Sequence, residues 1–382
     1  MNQRYLRPAG ADVFRVLAIG MVGVFHFWQQ SWVSLPGMDF LARSGCAWVD
    51  GMILLSAFCL YLPYAHAWVQ RKSFPGCRGF LRRRAVRLLP SYYFAVLVSA
   101  VVYAATNQPD RNFWLDVSGH LLLIPTLVPQ AYVFCRTNSA LWTVGMLLMF
   151  YLLFPLLARA FYARPLPVLI GLCAAQELYA RFRLLPMQGL EYSLRFNQLT
   201  AFFGVIALGF AAAQAVALLA TTQTGRREWA FVPVALAGLA GALWVLRRIA
   251  YWPDGQHGQL LWRMPLAFCF AVCLIGLCMG PQIPGARLWA FLSAISYNFY
   301  IWHQWLAVRI KYDLRIPPWQ GETPPNQLGQ TGWMYTYLVL IWAAALVTAW
   351  LATRFIEKPA ARRLRVLAGL EPAAPKAAGV PA

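Results

Sequence analysis

The chain has 382 residues, of which 60% are hydrophobic and only 12% are charged, and its formal net charge is +20 at pH 7. A soluble domain carries about 25% charged residues, so the composition excludes a soluble globular protein and predicts an all-α polytopic membrane protein. The positive charge does not indicate nucleic-acid binding, because the basic residues concentrate in alternate loops and no nucleic-acid-binding motif is present.

About ten apolar stretches are long enough to cross a membrane as helices. They cover residues 13–33, 46–67, 88–106, 142–161, 166–183, 197–220, 229–247, 261–280, 287–308 and 334–353. One further apolar stretch, Leu121 to Phe134, is short and contains Pro125 and Pro129, so we predict a re-entrant or interfacial segment there. No small-residue cleavage site follows the first span, so we expect no signal peptide.

The loop charges predict the orientation of the chain. Ten spans place both termini on one side, together with the loop Gln70–Arg87, which contains many basic residues and no acidic one. Basic loops remain in the cytoplasm, so we expect both termini to be cytoplasmic. Residues 361–382 form a basic and then Ala/Pro-rich tail, which we expect to be disordered.

The first span carries two ionisable residues, Arg15 and His26. Eleven residues at about 100° each return to within roughly 20° of the same helix face, and the rise separates them by roughly 16 Å. Because an ionisable group in hydrocarbon costs several kcal/mol, this pair is a functional-site hypothesis. The alternative is an Arg whose side chain reaches the headgroups and a His that is satisfied inside the bundle.

Two later segments add charged candidates. Asp50 lies near the outer end of the second span, where it could serve a site or simply favour a helix start. Arg84 and Arg87 share a helix face at the end of the basic loop. Such a cluster could bind the phosphates of a nucleotide cofactor, or it could set the topology and hold anionic lipid.

Six motifs follow one another along the chain. They are FRVLA with Arg15 followed by His26, VDGMILLSAF, RRAVRLLPSYY, LWT…FYLLFP, ISYNFYIWH and IEKP. In this order they resemble the membrane-bound acyltransferase-3 family, of the O-antigen acetyltransferase type. The resemblance runs from Phe14 to Pro359 and implies one integral membrane acyltransferase-like domain over residues 1–360.

The resemblance also implies an activity, in which an acyl group, commonly acetyl, moves from cytoplasmic acyl-CoA to a hydroxyl of an envelope carbohydrate or lipid-linked glycan. It places the protein in the bacterial inner membrane, among membrane lipid, and requires no metal. His26 would be the general base and Asp50 would orient it. Arg15, Arg84 and Arg87 would hold the CoA phosphates. The acceptor would contact Trp142, Tyr151, Ser296, Tyr297 and His303.

Some features depart from the family pattern. Leu147 stands where the family has a Glu, and Glu177 could replace that acid or form a local ion pair with Arg181. A transporter or flippase of similar shape, or a catalytically inactive family member, are therefore alternative interpretations. Cys46 and Cys135 both lie on the predicted outer side, where a disulfide is possible.

Overall fold

The structure is a computed structural model, which describes residue 5 and residues 8–34, 36–222 and 225–370. Within these ranges the chain is helical and contains no strand. The α-helices, in chain order, are α1 (Ala9–Ser31), α2 (Asp39–Arg43), α3 (Trp48–Val69), α4 (Phe80–Thr106), α5 (Arg111–Leu121), α6 (Pro129–Tyr132), α7 (Trp142–Ala163), α8 (Pro165–Tyr179), α9 (Gly189–Phe196), α10 (Phe203–Thr222), α11 (Phe231–Ala250), α12 (Gly255–Met279), α13 (Ala286–Val308), α14 (Thr331–Ala352) and α15 (Lys358–Leu367). The predicted all-α fold is confirmed.

Eight helical stretches in the described part of the chain are long and apolar enough to cross a membrane. They contain α1, α3, α4, α7, α10, α11, α12 and α14. The other two predicted spans are also helical, as α8 with its π-helical continuation Ala180–Leu184 and as α13. α8 is only 15 residues long, and α13 buries several polar side chains. The chain is therefore a multi-pass membrane protein with helices at all ten predicted positions.

Glycines allow the central helices to pack closely. A Cβ added to Gly10 of α1 would lie 2.2 Å from the carbonyl oxygen of Leu277 in α12. A Cβ added to Gly238 of α11 would lie 2.3 Å from the amide nitrogen of Cys273, also in α12. Small residues at such crossings are typical of membrane helices, whose association depends on close packing of their backbones. Gly10 and Gly238 therefore let α12 pack closely against α1 and α11. α1 also packs on α3 and α13.

The segment from Leu121 to Phe134 does not form a spanning helix. It contains the end of α5, a short 3₁₀ helix at Pro125–Leu127 and the single turn of α6. The buried carboxylate of Asp116 in α5 accepts hydrogen bonds from the backbone amides of Arg136 (2.8 Å) and Thr137 (2.9 Å), which fixes the end of this segment. The prediction of a non-spanning segment agrees with this arrangement.

Two expectations need correction. Residues 361–367 were expected to be disordered, but they lie in α15, whose basic side chains flank the bundle; residues 371–382 lie outside the described residues. The possible disulfide is not formed, since Cys46 and Cys135 are both free cysteines whose thiols have different partners, Gln259 and Asp116.

Candidate active site

Three cavities follow one another along α1 and α3. The basic cavity has a volume of about 770 Å³ and is lined by residues 8–15 of α1 and its preceding turn and by residues 58–62 of α3. The middle cavity, of about 180 Å³, is lined by residues 15–19 and 52–60 of the same helices. The His26 cavity, of about 460 Å³, is lined by residues 25–26 of α1 and 46–49 at the start of α3. α1 passes the basic, middle and His26 cavities in that order, and α3 passes them in the reverse order, so the two helices are antiparallel along the series.

The basic cavity brings together the three arginines that were predicted to hold a cofactor. Arg15, Arg84 and Arg87 all line it. Arg15 donates to Asp12 (3.2 Å) and to the hydroxyl of Ser293 (2.6 Å). The Nε of Arg84 is buried and has no hydrogen-bond partner, so this guanidinium retains a donor for an anionic ligand.

Further basic residues of this cavity come from the C-terminal end of the membrane domain. Lys358, Arg362 and Arg365 of α15 line it beside Glu357, which accepts a hydrogen bond of 2.7 Å from the Asn298 amide. The sequence pattern predicts a disordered tail over residues 361–382, whereas residues 361–367 belong to α15 and bring Arg362 and Arg365 to the cavity. The spacing of Arg362 and Arg365, which places both on one helix face, was the available signal.

The middle cavity shares Arg15, Arg84 and Arg87 with the basic cavity. Three residues predicted to contact the acceptor, Tyr151, Ser296 and Tyr297, line this cavity rather than the His26 cavity.

Most hydroxyls of the middle cavity are already bonded. Tyr297 donates to the carbonyl of Leu88 (2.9 Å), and Ser296 to that of Ser293 (2.8 Å). The hydroxyls of Ser56 and Tyr151 lie 3.4 Å apart. Because their protons already have acceptors, these hydroxyls offer few hydrogen-bond donors to a ligand in the middle cavity.

Leu147, at the position where the resemblance implies a Glu, lines the middle cavity with an apolar side chain. Glu177 does not replace that Glu, because its carboxylate pairs with Arg181 at 3.4 Å on the surface of α8 and its continuation.

His26 lies at the far end of this series, with Trp142 lining the same cavity. Its Nδ1 lies 3.1 Å from the side-chain oxygen of Gln29, and its ring centroid is 5.1 Å from that of His303. His303 is buried on α13, where its Nδ1 lies 2.7 Å from the carbonyl oxygen of Tyr300. The rings of His26 and His303, the two histidines predicted to serve the site, are therefore in contact.

Asp50 does not orient His26, which corrects the sequence-based expectation. Its fully buried carboxylate accepts hydrogen bonds from Arg263 Nε (3.3 Å) and from Gln259 (3.4 Å) on α12. The Arg263 guanidinium lies over the rings of Phe196 (4.6 Å) and Phe202 (4.4 Å). A buried carboxylate needs a charged or hydrogen-bonding partner, and the facing arginine supplies it better than an imidazole. Asp50 therefore holds α3 against α12.

One group in the described part of the chain has the composition of a metal site. Ligand atoms of Asp116, His120 and Cys135 lie within 4.8 Å of one another. His120 Nδ1 and the Cys135 thiol both lie within bonding distance of the Asp116 carboxylate, at 2.9 and 3.7 Å. These internal bonds explain the cluster, and none of its members lines any of the three cavities.

Asp254 and Lys311 are charged groups outside the spanning segments whose pKa values are shifted. A hydrogen bond from His257 lowers the pKa of Asp254, which caps α12 and lines the His26 cavity. Burial lowers the pKa of Lys311 to about 8. Its ammonium donates to the carbonyl of Gln30 (2.7 Å) in the last turn of α1, a position where helix geometry favours a cation.

Comparison with known proteins gives one match. The family model described as an acyltransferase domain, of the acyltransferase-3 type, matches residues 9–353. No curated protein and no solved structure matches the chain. The matched range contains α1 to α14 and therefore the lining of all three cavities, apart from Pro8, Glu357 and the α15 residues of the basic cavity.

Proposed function

The chain belongs to the acyltransferase-3 family, and on that premise we propose that it transfers an acyl group, commonly acetyl, from cytoplasmic acyl-CoA to a hydroxyl of an envelope carbohydrate or lipid-linked glycan. The observation that carries this proposal is the series of three cavities, with a cluster of arginines at one end and His26 at the other. A donor with a charged head and a long, narrow arm fits such a series.

The basic cavity supplies the contacts that a nucleotide head requires. Guanidinium groups match phosphate geometry and bind it through charge-assisted hydrogen bonds. The orphaned donor of Arg84 and the adjacent Arg15 and Arg87 face one space, which α15 covers with further basic side chains. The pantetheine arm would then follow the middle cavity, whose lining mixes hydroxyl and aliphatic side chains.

The distance along α1 suits the reacting groups. Arg15 and His26 are separated by roughly 16 Å of helix rise, so a thioester carried on the arm reaches the level of the imidazole. A neutral imidazole of His26 takes the proton from the acceptor hydroxyl as the oxygen attacks the thioester carbonyl. The same group then returns that proton to the departing thiolate. His303 packs against His26 and limits the positions of its ring.

The proposed orientation follows from the same cavity. The preceding turn of α1, the start of α4 and helix α15 meet at the basic cavity, so these parts of the chain lie on one side of the bundle. We assign this side to the cytoplasm of a bacterial inner membrane because basic residues concentrate there. Acyl-CoA would then enter from the cytoplasm, and the His26 cavity would admit the acceptor from the opposite side.

An assay with purified full-length protein tests this function. Membranes from cells that lack the protein would supply the acceptor, and acetyl-CoA labelled in its acetyl group would be the donor. Wild-type protein should label membrane glycan, and His26→Ala should lower the rate about 10²–10⁴-fold while binding acetyl-CoA normally. His66→Ala is the matched control, because His66 is a buried histidine bonded to the backbone and lines none of the cavities.

The assay also separates the alternatives. Labelled glycan from wild type but not from His26→Ala supports the transferase. Glycan labelling that is equal for wild type and His26→Ala would overturn the role of His26. Binding of acetyl-CoA with no transfer by wild type would favour the inactive family member that Leu147 suggests.

A further inference from the structure

Tyr300 stands at the boundary between the donor and acceptor sides of the bundle. Of the described residues, it is the one that lines both the middle cavity and the His26 cavity. It lies on α13 one turn beyond Ser296 and Tyr297, so the same helix face runs from the middle cavity to the boundary. Its side chain is only 5% exposed, which places the phenol in the interior of the bundle.

The surroundings of Tyr300 connect it to both histidines. Its ring centroid is 5.5 Å from that of His303, whose own centroid is 5.1 Å from that of His26. Its carbonyl oxygen lies 2.7 Å from His303 Nδ1. The phenol therefore belongs to the same packed group as the proposed base, and its backbone fixes the ring of the intervening histidine.

The other hydroxyls near this boundary have partners. Ser296 and Tyr297 donate to backbone carbonyls, and Thr143, beside the phenol of Tyr300, donates to the carbonyl of Ala140 (3.1 Å). Among the described residues, no backbone carbonyl accepts a hydrogen bond from the Tyr300 hydroxyl, and its side-chain neighbour is the Thr143 hydroxyl. The Tyr300 proton therefore faces an exchangeable hydroxyl, not a fixed carbonyl, at the place where the two cavities meet.

We propose that the Tyr300 hydroxyl is the oxyanion donor of the transfer reaction, an inference that rests on the proposed function. The acceptor oxygen forms a bond to the thioester carbon while His26 takes its proton, and the carbonyl π electrons move onto the carbonyl oxygen. Tyr300 donates a hydrogen bond to that oxygen without losing its proton. The carbon–sulfur bond then breaks, the carbonyl re-forms, and the thiolate receives the proton held by His26.

A hydrogen bond from the Tyr300 hydroxyl to the carbonyl oxygen would stabilise the transition state. Negative charge develops on the carbonyl oxygen only in the transition state, so a fixed donor placed there accelerates the reaction without strengthening substrate binding. Loss of one such donor lowers kcat about 10²–10³-fold. A phenol held by buried packing suits this task because it needs no reorganisation during the reaction.

The test compares two tyrosine-to-phenylalanine variants in the full-length protein. Each variant loses one hydroxyl and keeps its ring. Tyr300→Phe removes the proposed donor, whereas Tyr337→Phe removes a fully buried hydroxyl that donates to the carbonyl of Ala307 (2.6 Å), away from the three cavities. The probe is acetyl-CoA, with thiol release measured for hydrolysis and, with a methyl glycoside added, for transfer.

We expect Tyr300→Phe to lower kcat about 10²–10³-fold with the KM for acetyl-CoA unchanged, and Tyr337→Phe to remain near wild type. A kcat for Tyr300→Phe within threefold of wild type, alongside an inactive His26→Ala, would overturn the donor role and leave the proposed function intact. A raised KM with normal kcat would assign Tyr300 to binding instead. Absence of thiol release by wild type would overturn the proposed function itself.

Discussion

Asp50 and Arg263 form an ion pair in which both side chains are fully buried, and it joins α3 to α12 within the membrane domain. The pair lies beside the His26 cavity, which Gln259, the second partner of Asp50, lines directly. A charged residue inside a span usually indicates function, but here the partners and the flanking aromatic rings explain both charges. The pair is therefore a structural element close to the site.

Removal of one partner should unfold the protein rather than disable it. Asp50→Ala leaves Arg263 charged and unpaired, and breaking a buried pair costs about 3–5 kcal/mol. We expect a large fall in folded yield and thermal midpoint, measured by size-exclusion chromatography on heated samples. Molecules that remain folded should keep their specific activity. The double variant Asp50→Leu with Arg263→Met should recover yield, and a stable but inactive Asp50→Ala protein would contradict this assignment.

The arginines of the basic cavity should control donor affinity. Arg84→Ala combined with Arg87→Ala removes two charge-assisted contacts, each worth on the order of 1.5–3 kcal/mol, so acetyl-CoA binding should weaken at least tenfold in a calorimetric titration. The control is Arg71→Ala combined with Arg82→Ala, which removes the same charge from exposed positions that do not line the cavity. Equal affinities for the two double variants would assign Arg84 and Arg87 to topology alone.

The C-terminal helix should contribute to the same binding. Arg362 lines the basic cavity, whereas its neighbour Arg363 does not. Arg362→Ala should therefore weaken acetyl-CoA binding several-fold, and Arg363→Ala should have little effect because an exposed charge outside the cavity contributes little. Equal effects of both substitutions would show that α15 acts only through its net charge.

The orientation of the chain can be measured directly. A single cysteine at Arg71 in a chain whose native cysteines are replaced should be inaccessible to an impermeant thiol reagent in intact cells and should react after lysis. A cysteine at Arg111, at the start of α5 on the opposite side, should react in intact cells. The reverse pattern would overturn the proposed cytoplasmic location of the basic cavity.

The lowered pKa of Lys311 predicts that the free energy of unfolding depends on pH. Its pKa of about 8 in the folded protein is below its ordinary value of 10.5, so the charged form is disfavoured by folding. The unfolded state binds more protons between these values, and the contribution of Lys311 to stability rises as pH increases through about 8 toward 10.5. The thermal midpoint of wild type minus that of Lys311→Met should therefore increase from pH 7 to pH 10. A difference in thermal midpoint that stays constant from pH 7 to pH 10 would refute the lowered pKa of Lys311.

The features that depend on a local sequence pattern could be predicted from the sequence. Apolar length located the ten helices, and the spacing of Arg15 and His26 placed them on one face of α1. The partner of Asp50 could not be predicted in this way, because Arg263 lies on a distant helix and its alignment with Asp50 depends on packing. The boundary position of Tyr300 likewise depends on how the helices around the two cavities meet. For residues 361–367 the spacing of Arg362 and Arg365 was the one local signal of a helix, and it was not sufficient because that helix depends on contacts with α4.

The basic cavity is built from both extremes of the membrane domain, from Pro8 before α1 to Arg365 in α15. During synthesis, the first of these residues enters the membrane long before the last is made. A nascent chain that ends after α13 contains His26 and His303 but lacks Lys358, Arg362 and Arg365 of the basic cavity. Under the proposed function, acyl-CoA should therefore stabilise the chain fully only after translation has passed residue 365, because a ligand stabilises only the state that binds it.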